Sequence, residues 1–282
     1  TGFNQLCQAW QTKQWVDSCF KFQVLAKLDP TLTDLKAGLY ELNSRSVVDN
    51  IRLINRGAEV SFSFTIIEGQ PLRDVVANIQ KQAYLTQDLD TENLATQISN
   101  TQENLEGWLF PDTYHYHSED NASSILKRAY SKMQQELDAA WQNRAQDLVL
   151  NSPYEALILA SIIEKETGLA SERPMISAVF TNRLKSNMRL QTDPTVIYGI
   201  GADFDGDIKR KDLTTYTPYN TYKIKGLPPT PIAMPSRAAL LAAVNPPESE
   251  YVYFVSKGDG SHQFSKTLQE HNLAVQQYQL NK

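Results

Sequence analysis

A long apolar run that ends in two acids constrains the fold of this 282-residue chain more than any other feature. Residues 157–163 are apolar apart from one serine, and Glu164, Glu166 and Gly168 follow within five positions. The run predicts a buried helix that stops near the glycine. Residues three and four apart share a helix face, so Glu166 lies over the isoleucines of the run and Glu164 points roughly 200° away. The two acids therefore cannot serve one site together.

Burial gives one of these acids a chemical use. A carboxyl group among apolar side chains holds its proton near neutral pH and can act as a general acid. Glu166, over the isoleucines in the last turn, is a candidate for such an acid. Glu164 is the alternative acid or a structural partner of Arg173 or Arg183. The competing interpretation is that both acids are solvated ends of a core helix.

Two polar segments that follow the helix predict a groove for a carbohydrate. The first lies within 188–199, and the second is the aromatic and amide cluster 219–222, which precedes the proline-rich stretch 226–232. Prolines at this density fix an extended backbone, while tyrosine and asparagine can stack on a sugar and hydrogen-bond to it. The predicted groove and supporting residues in these two segments are Gln191, Thr192, Asp193, Tyr219, Asn220 and Thr221. Each could instead be a loop residue that caps a turn.

Several long motifs carry a specific resemblance. They are 160–167, 171–173, 179–184, 189–199, 219–222 and 226–229, with further matches at 35–40, 106–114, 251–255 and 262–264. In this order they resemble the endolytic murein transglycosylase (YceG-like) family. The resemblance covers nearly the whole chain. It implies that His262 lies close to the end of the family's cleft, which makes it a further groove candidate, although it could instead make a loop hydrogen bond.

The resemblance implies cleavage of peptidoglycan glycan strands between N-acetylmuramic acid and N-acetylglucosamine without water. The muramyl C6 hydroxyl attacks its own anomeric carbon and leaves a 1,6-anhydro end. One acid that later acts as a base suffices. Glu166-Thr167 is similar to the Glu-Ser pair of other lytic transglycosylases, and the resemblance therefore implies that Glu166 is the catalytic acid and base. No cofactor is implied. Cutting a nascent strand would set its final length, with peptidoglycan synthases as partners.

Two other functions stay open. A hydrolytic muramidase on the same scaffold would need a second carboxylate to activate water, and Asp193 is the candidate. The second alternative is an inactive, glycan-binding scaffold protein of the cell-wall synthesis machinery.

Net charge, the lengths of apolar runs and the start of the chain bear on which partners and which cellular location to expect. A net charge of -5 argues against nucleic acid as a partner, and no run of ~18 apolar residues occurs. The chain opens at Thr1 without methionine, which suggests a truncated or processed product. The resemblance implies a single membrane-spanning helix before this point, and hence the periplasmic face of the bacterial cytoplasmic membrane.

The predicted architecture is α+β in two parts. Residues 1–58 resemble a small LysM-like module, incomplete at its start, and residues 59–282 form the catalytic domain. Predicted helices are 3–15, 20–28, 47–55, 72–84, 125–141 and 268–280, and predicted strands are 60–66 and 251–255.

Cysteines and metal-like motifs complete the expectations. Cys7 and Cys19 could pair, but a helix-loop-helix could equally keep them apart, and we favour free thiols. The acidic segment 203–207 lacks the glycine and glutamate that a calcium loop needs, so we interpret it as an acidic turn. His115 and His117 have no third ligand nearby in the sequence. No metal site is predicted.

Overall fold

The computed structural model describes residues 2–42 and 46–280. The chain divides into two compact units. The first contains the chain up to Phe64 together with Gln82–Asp88 and Tyr114–Ala122. The second contains Thr65–Lys81, Leu89–Thr113 and the chain from Ser123 onward. The regular elements of the described residues are helices and small two-stranded sheets, which confirms the α+β class.

Three helices and a 3-10 turn build most of the first unit. They are α1 (Phe3–Thr12), α2 (Cys19–Leu28), the turn Pro30–Thr33 and α3 (Val47–Arg56). The Ser18 hydroxyl accepts a hydrogen bond from the Phe20 amide at the start of α2, and Ser46 caps α3 in the same way. Gly57, at φ 68°, ends α3 in the left-handed conformation. The core side chains are Cys7, Trp10, Phe22, Leu32, Ile51 and Ile54.

The expectation of free thiols is wrong, because Cys7 and Cys19 form a disulfide. Cys7 is buried in α1 and Cys19 begins α2. The two helices pack against each other, and this brings the two Cα atoms to 5.8 Å, a distance that a disulfide readily spans. The turn between the helices therefore brings the two thiols together rather than holding them apart.

Two short strands pair with each other, and both carry side chains with alternating environments. They are β1 (Phe62–Thr65) and β2 (Thr113–Tyr116). Alternation in β2 buries Tyr114 and Tyr116 and exposes Thr113 and His115. The strand predicted at 60–66 is confirmed in a shorter form.

The second unit is mainly helical. Its first helices are α4 (Leu72–Ile79), α5 (Leu94–Ile98) and α6 (Ala122–Gln142), of which the last begins at the final residue of the first unit. The remaining helices are α7 (Pro153–Glu166), α8 (Arg173–Lys185), α9 (Asp193–Ile200), α10 (Arg210–Thr214), α11 (Arg237–Val244) and α12 (Leu268–Val275). A π-helical turn, Gln276–Leu280, follows α12.

Helix α7 forms the centre of this unit. The Ser152 hydroxyl accepts the Glu155 amide, and Pro153 occupies the first turn, where its missing N–H costs little. Every residue from Ala156 to Ile163 is buried, because α8 and α11 both pack against this helix. A helix that is apolar all round belongs in a core. Glu166 is its last residue, which confirms its predicted place in the final turn.

A hairpin precedes α12. Strands β3 (Tyr253–Ser256) and β4 (His262–Ser265) pair antiparallel, with Ser256 opposite His262. The turn between them places Gly258 and Gly260 at φ 85° and 87°, which suits glycine. The strand predicted at 251–255 is confirmed with shifted bounds.

Candidate active site

Glu166 lies where the buried helix α7 ends. Thr167 follows in an extended conformation, so the helix ends at Glu166, two residues before the expected glycine. The Glu166 residue is partly exposed, whereas the preceding apolar run is buried. The end of the core helix therefore places one acid at the boundary between the core and solvent.

Burial of its carboxyl group raises the pKa of Glu166 to about 7. A hydrogen bond from Thr192 and the charges of His262 and Arg183 lower this pKa, while the charge of Asp193 raises it. Its place at the C-terminal, negative end of α7 also disfavours the carboxylate. Glu166 is thus an acid that can both give and take a proton near neutral pH.

Thr192 makes the direct contact with the acid. It precedes α9 at the N-cap position, but its hydroxyl donates to Glu166 Oε1 and makes no cap hydrogen bond. The Thr192 amide donates to Thr221 Oγ1 at 3.0 Å, and the hydroxyls of Thr195 and Thr221 lie 2.8 Å apart. All three threonines are buried. This threonine network fixes the donor that holds Glu166.

Arg183, on α8, braces the segment that leads to Thr192. Its Nη1 donates to the backbone oxygens of Arg189 and Leu190, at 3.1 and 2.8 Å, and its Nε donates to Val252 O at 2.6 Å. The same Nη1 reaches Gln191 Oε1 at 3.3 Å. Gln191 adopts φ 52°, an uncommon conformation for a residue other than glycine. The guanidinium therefore fixes a strained turn beside the acid.

Two further pairs surround Glu166. Tyr222 Oη donates to Asp193 Oδ1 at 2.7 Å, and burial together with this bond raises the pKa of Tyr222. His262, at the start of β4, pairs through Nδ1 with Glu172 Oε2 at 2.7 Å, and its amide donates to Glu172 Oε1 at 2.9 Å. The charges of Asp193 and His262 both act on Glu166. The structure thus brings Thr192, Asp193 and His262 around the acid.

Glu164 has a different environment. Its side chain is 5% exposed, and its Oε1 forms an ion pair with Arg173 at 3.4 Å. Its Oε2 accepts the Ser236 amide at 2.9 Å and also the Ser236 hydroxyl, at the start of α11. These contacts tie three helices together. Glu164 is a structural acid with Arg173 as its partner, one of the two arginines considered from the sequence.

The residues of the cluster 219–222 have different contacts and do not all lie at the candidate active site. Thr221 belongs to the threonine network. The Asn220 side-chain amide donates to the backbone oxygens of Asp212 and Thr215, at 2.9 and 2.6 Å, and so holds the turn after α10. Tyr219 lines a separate cleft together with Tyr198. Neither Asn220 nor Tyr219 hydrogen-bonds to Glu166.

Sequence reasoning did not assign three residues of this neighbourhood to the site. Arg183 was considered only as a partner of Glu164, while Tyr222 and Glu172 appeared only within motifs. An arginine in an otherwise apolar helix face was the available signal for Arg183, because such a charge needs buried acceptors.

Among residues 2–42 and 46–280, no group of three or more His, Cys, Asp or Glu residues is arranged to hold a metal ion.

Within the same ranges, no helix has the combination of length and hydrophobicity that crossing a bilayer requires.

Comparison with known proteins gives one consistent family. A model of the YceG-like family matches residues 1–277. An endolytic murein transglycosylase of Bacillus subtilis (strain 168) is 34% identical over 264 residues, which cover 86% of this chain and 73% of the relative. A protein of the same name from Streptococcus pneumoniae (strain D39) is 28% identical over 284 residues, and the match spans about half, 51%, of that relative.

A solved structure agrees with this assignment. The crystal structure of a YceG-like protein from Listeria monocytogenes superimposes with a TM-score of 0.62 at 31% identity, covering 97% of this chain and 95% of that one. Sequence and fold therefore give the same result, and the chain belongs to the YceG-like family.

Proposed function

We propose that this protein is an endolytic murein transglycosylase that cuts peptidoglycan glycan strands between N-acetylmuramic acid and N-acetylglucosamine. Its family and the names of its relatives support this activity. The observation that carries the chemistry is Glu166, whose pKa is raised to about 7 while Thr192 holds its carboxyl group. An acid in this state can serve both halves of a reaction without water.

Glu166 acts twice in the proposed reaction. It first protonates the glycosidic oxygen, so that the bond from the muramyl C1 to this oxygen breaks and the N-acetylglucosamine hydroxyl leaves. The resulting carboxylate then takes the proton of the muramyl C6 hydroxyl as the C6 oxygen bonds to C1. The 1,6-anhydro ring forms, and the enzyme regains its proton. One acid is sufficient for this sequence, in contrast to the two carboxylates of ordinary glycosidases.

The remaining site residues position this acid. Thr192 orients the carboxyl group, and the Arg183 contacts hold the turn that carries Gln191 and Thr192. Asp193 and His262 are proposed to line the groove. A hydrolytic reaction would need Asp193 to activate water, but the Tyr222 hydroxyl already occupies one of its oxygens.

The wider role is also proposed. Cutting nascent strands would set their length, at the outer face of the bacterial cytoplasmic membrane and beside peptidoglycan synthases. The relatives' names support a cell-wall substrate.

We propose that the LysM-like module, residues 1–58, contacts glycan. A cavity of about 380 Å³ in the first unit, lined in part by Lys36, Gly38 and Tyr40, supports this proposal. Titration with chitooligosaccharides should shift the NMR signals of residues 35–40, and unchanged signals would refute glycan contact there.

Mass spectrometry of muropeptides tests the activity. The parent chain should release anhydromuramyl ends from purified peptidoglycan, each lighter by one water than a hydrolysed end. Glu166→Gln keeps the shape but removes the titrating proton, and we expect a loss of about 10²- to 10⁴-fold. Glu164→Gln is the matched control, since it removes an acid two residues away that binds Arg173 and Ser236. It should lower the melting temperature and retain anhydro products.

Each other result excludes part of the proposal. Hydrated ends from the parent would identify a hydrolase. Full activity in Glu166→Gln would place the acid elsewhere, and no product from any variant would favour a binding scaffold.

A further inference from the structure

A buried glutamate lies in a cleft that the proposed chemistry does not use. Glu106, in the second unit, is 4% exposed. The cleft has a volume of about 670 Å³. Its other polar and aromatic lining residues include Arg73, Gln80, Asn104, Tyr198 and Tyr219. A buried acid on the wall of an open cleft is a common feature of a binding site.

The Glu106 carboxyl group is held firmly. Its Oε1 accepts the Leu72 amide at 2.9 Å, and its Oε2 accepts the Tyr198 hydroxyl at 3.0 Å. Burial nonetheless raises the pKa of Glu106 to about 7. A carboxylate offers about four acceptor positions, and a protonated carboxyl group can also donate. The group can therefore bind a further hydroxyl or amide from a ligand.

Gly107 fixes the backbone beside this acid. It adopts φ 80°, and a Cβ added there would lie 2.5 Å from Pro231 Cβ. The loop that carries Glu106 is thus packed directly against the proline-rich segment, with no space for a side chain between them.

Two tyrosines provide the apolar part of the cleft. The Tyr198 and Tyr219 ring centroids lie 4.8 Å apart at 59°. The hydroxyl of Tyr198 binds Glu106, and that of Tyr219 lies 2.9 Å from Thr230 Oγ1. Both rings are therefore held in place. A sugar ring has an apolar C–H face and a polar edge, which matches fixed aromatic rings beside a carboxyl group.

The cleft shares its framework with the candidate active site. Tyr198 lies on α9, six residues after Thr192, or about 9 Å along a helix axis. Tyr219 lies two residues before Thr221, whose hydroxyl accepts the Thr192 amide. We propose that this cleft binds an N-acetylhexosamine ring of the glycan strand, away from the bond that Glu166 cuts, through Glu106 and the tyrosines. This inference rests on the proposed function.

Binding to peptide-free glycan strands of defined length tests the inference. Calorimetry in the Glu166→Gln background, where no cleavage intervenes, should show tighter binding once a strand is long enough to reach the cleft. Adding Glu106→Gln should weaken long-strand binding by about tenfold, as expected for loss of a well-formed hydrogen bond. Adding Arg73→Ala should weaken it by about threefold, and this exposed side chain, 60% accessible, can be removed without unfolding the chain. Glu248→Gln, at an exposed acid outside the cleft, is the matched control and should change nothing.

Hydrogen exchange gives a readout that does not depend on the variants. Long strands should slow exchange in 71–80 of the Glu166→Gln chain, where short strands should not. Unchanged affinity in both cleft variants, with no protection in 71–80, would overturn the inference and leave the proposed function intact. If the parent chain cuts no strand and the Glu166→Gln chain binds none, the proposed function fails as well.

Discussion

The Thr192 hydroxyl hydrogen-bonds to Glu166 instead of capping its own helix. A threonine at an N-cap ordinarily accepts a hydrogen bond from an amide of its own helix. Here the hydroxyl donates to Glu166, and Asp193 and Pro194 open α9 without a side-chain cap. The proline needs no partner for its nitrogen, and the acid complements the helix dipole, so the loss of the cap costs less.

Substitution of Thr192 should move the pH profile of the reaction. Because the Thr192 hydrogen bond lowers the pKa of Glu166, Thr192→Val should raise it and shift the alkaline limb of kcat/KM to higher pH. We also expect a rate about tenfold lower at the optimum, because the carboxyl group loses its orientation. Thr192→Ser keeps the hydroxyl and should restore both properties. An unmoved alkaline limb in Thr192→Val would contradict this role.

At this scale the sequence predicted the acid but only part of its surroundings. Helical spacing separated Glu166 from Glu164 because both lie in one regular element. The contacts of Asp193 with Tyr222, and of His262 with Glu172, join residues 29 and 90 positions apart. No local pattern encodes such separations, so these partners could not be paired from the sequence.

Among the elements, the apolar helix was the easiest to predict and α9 the hardest. A run buried on all sides identifies α7, whereas the segment 188–199 predicts only a polar part of a groove and no helix. Pro194 and Asp193 are good first-turn residues, and they start a helix within that segment. The disulfide was mispredicted because it depends on how α1 and α2 pack.

Loss of the disulfide should destabilise the first unit. Cys7 and Cys19 are 12 positions apart, and a closure of this size contributes about 3 kcal/mol, mainly by restricting the unfolded chain. Reductant should therefore lower the urea midpoint for this unit and accelerate hydrogen exchange in α1 and α2. Cys7→Ser/Cys19→Ser should behave like the reduced chain and not respond to reductant. Equal exchange in the oxidised and reduced chains would refute the prediction.

For the whole molecule, two acids with raised pKa values link stability to pH. Burial raises the pKa of both Glu106 and Glu166 from 4.5 to about 7. Between these values the folded chain binds protons that the unfolded chain has lost, so the contribution of these acids to stability falls as pH rises from about 4.5 to about 7. We expect a change on the order of 1 to 3 kcal/mol per group, smaller for the partly exposed Glu166.

Denaturation curves at several pH values isolate this contribution. The unfolding free energy of the parent should decline relative to that of Glu106→Gln/Glu166→Gln as the pH rises through this interval. Other carboxylates titrate in both chains and cancel in the difference. Parallel curves for the two chains would show that neither acid has a raised pKa.

The division into units was the part of the whole molecule least accessible to sequence reasoning. Gln82–Asp88 and Tyr114–Ala122 belong to the first compact unit, although each lies within the sequence of the second. The Thr86 amide, for example, donates to Asp120 O at 2.8 Å. Such long-range backbone pairing leaves no periodic signal in either segment.

Gly107 shows how an absent side chain can constrain a protein. Its contact with Pro231 leaves no volume for even one methyl group, and its backbone conformation disfavours every other residue type. In a saturation mutagenesis screen this position would tolerate no replacement, although it takes part in no chemistry. The intolerance of this position would reflect the small distance between two chain segments and not a role in catalysis. A count of residues that tolerate no replacement would therefore overstate the number of functional groups.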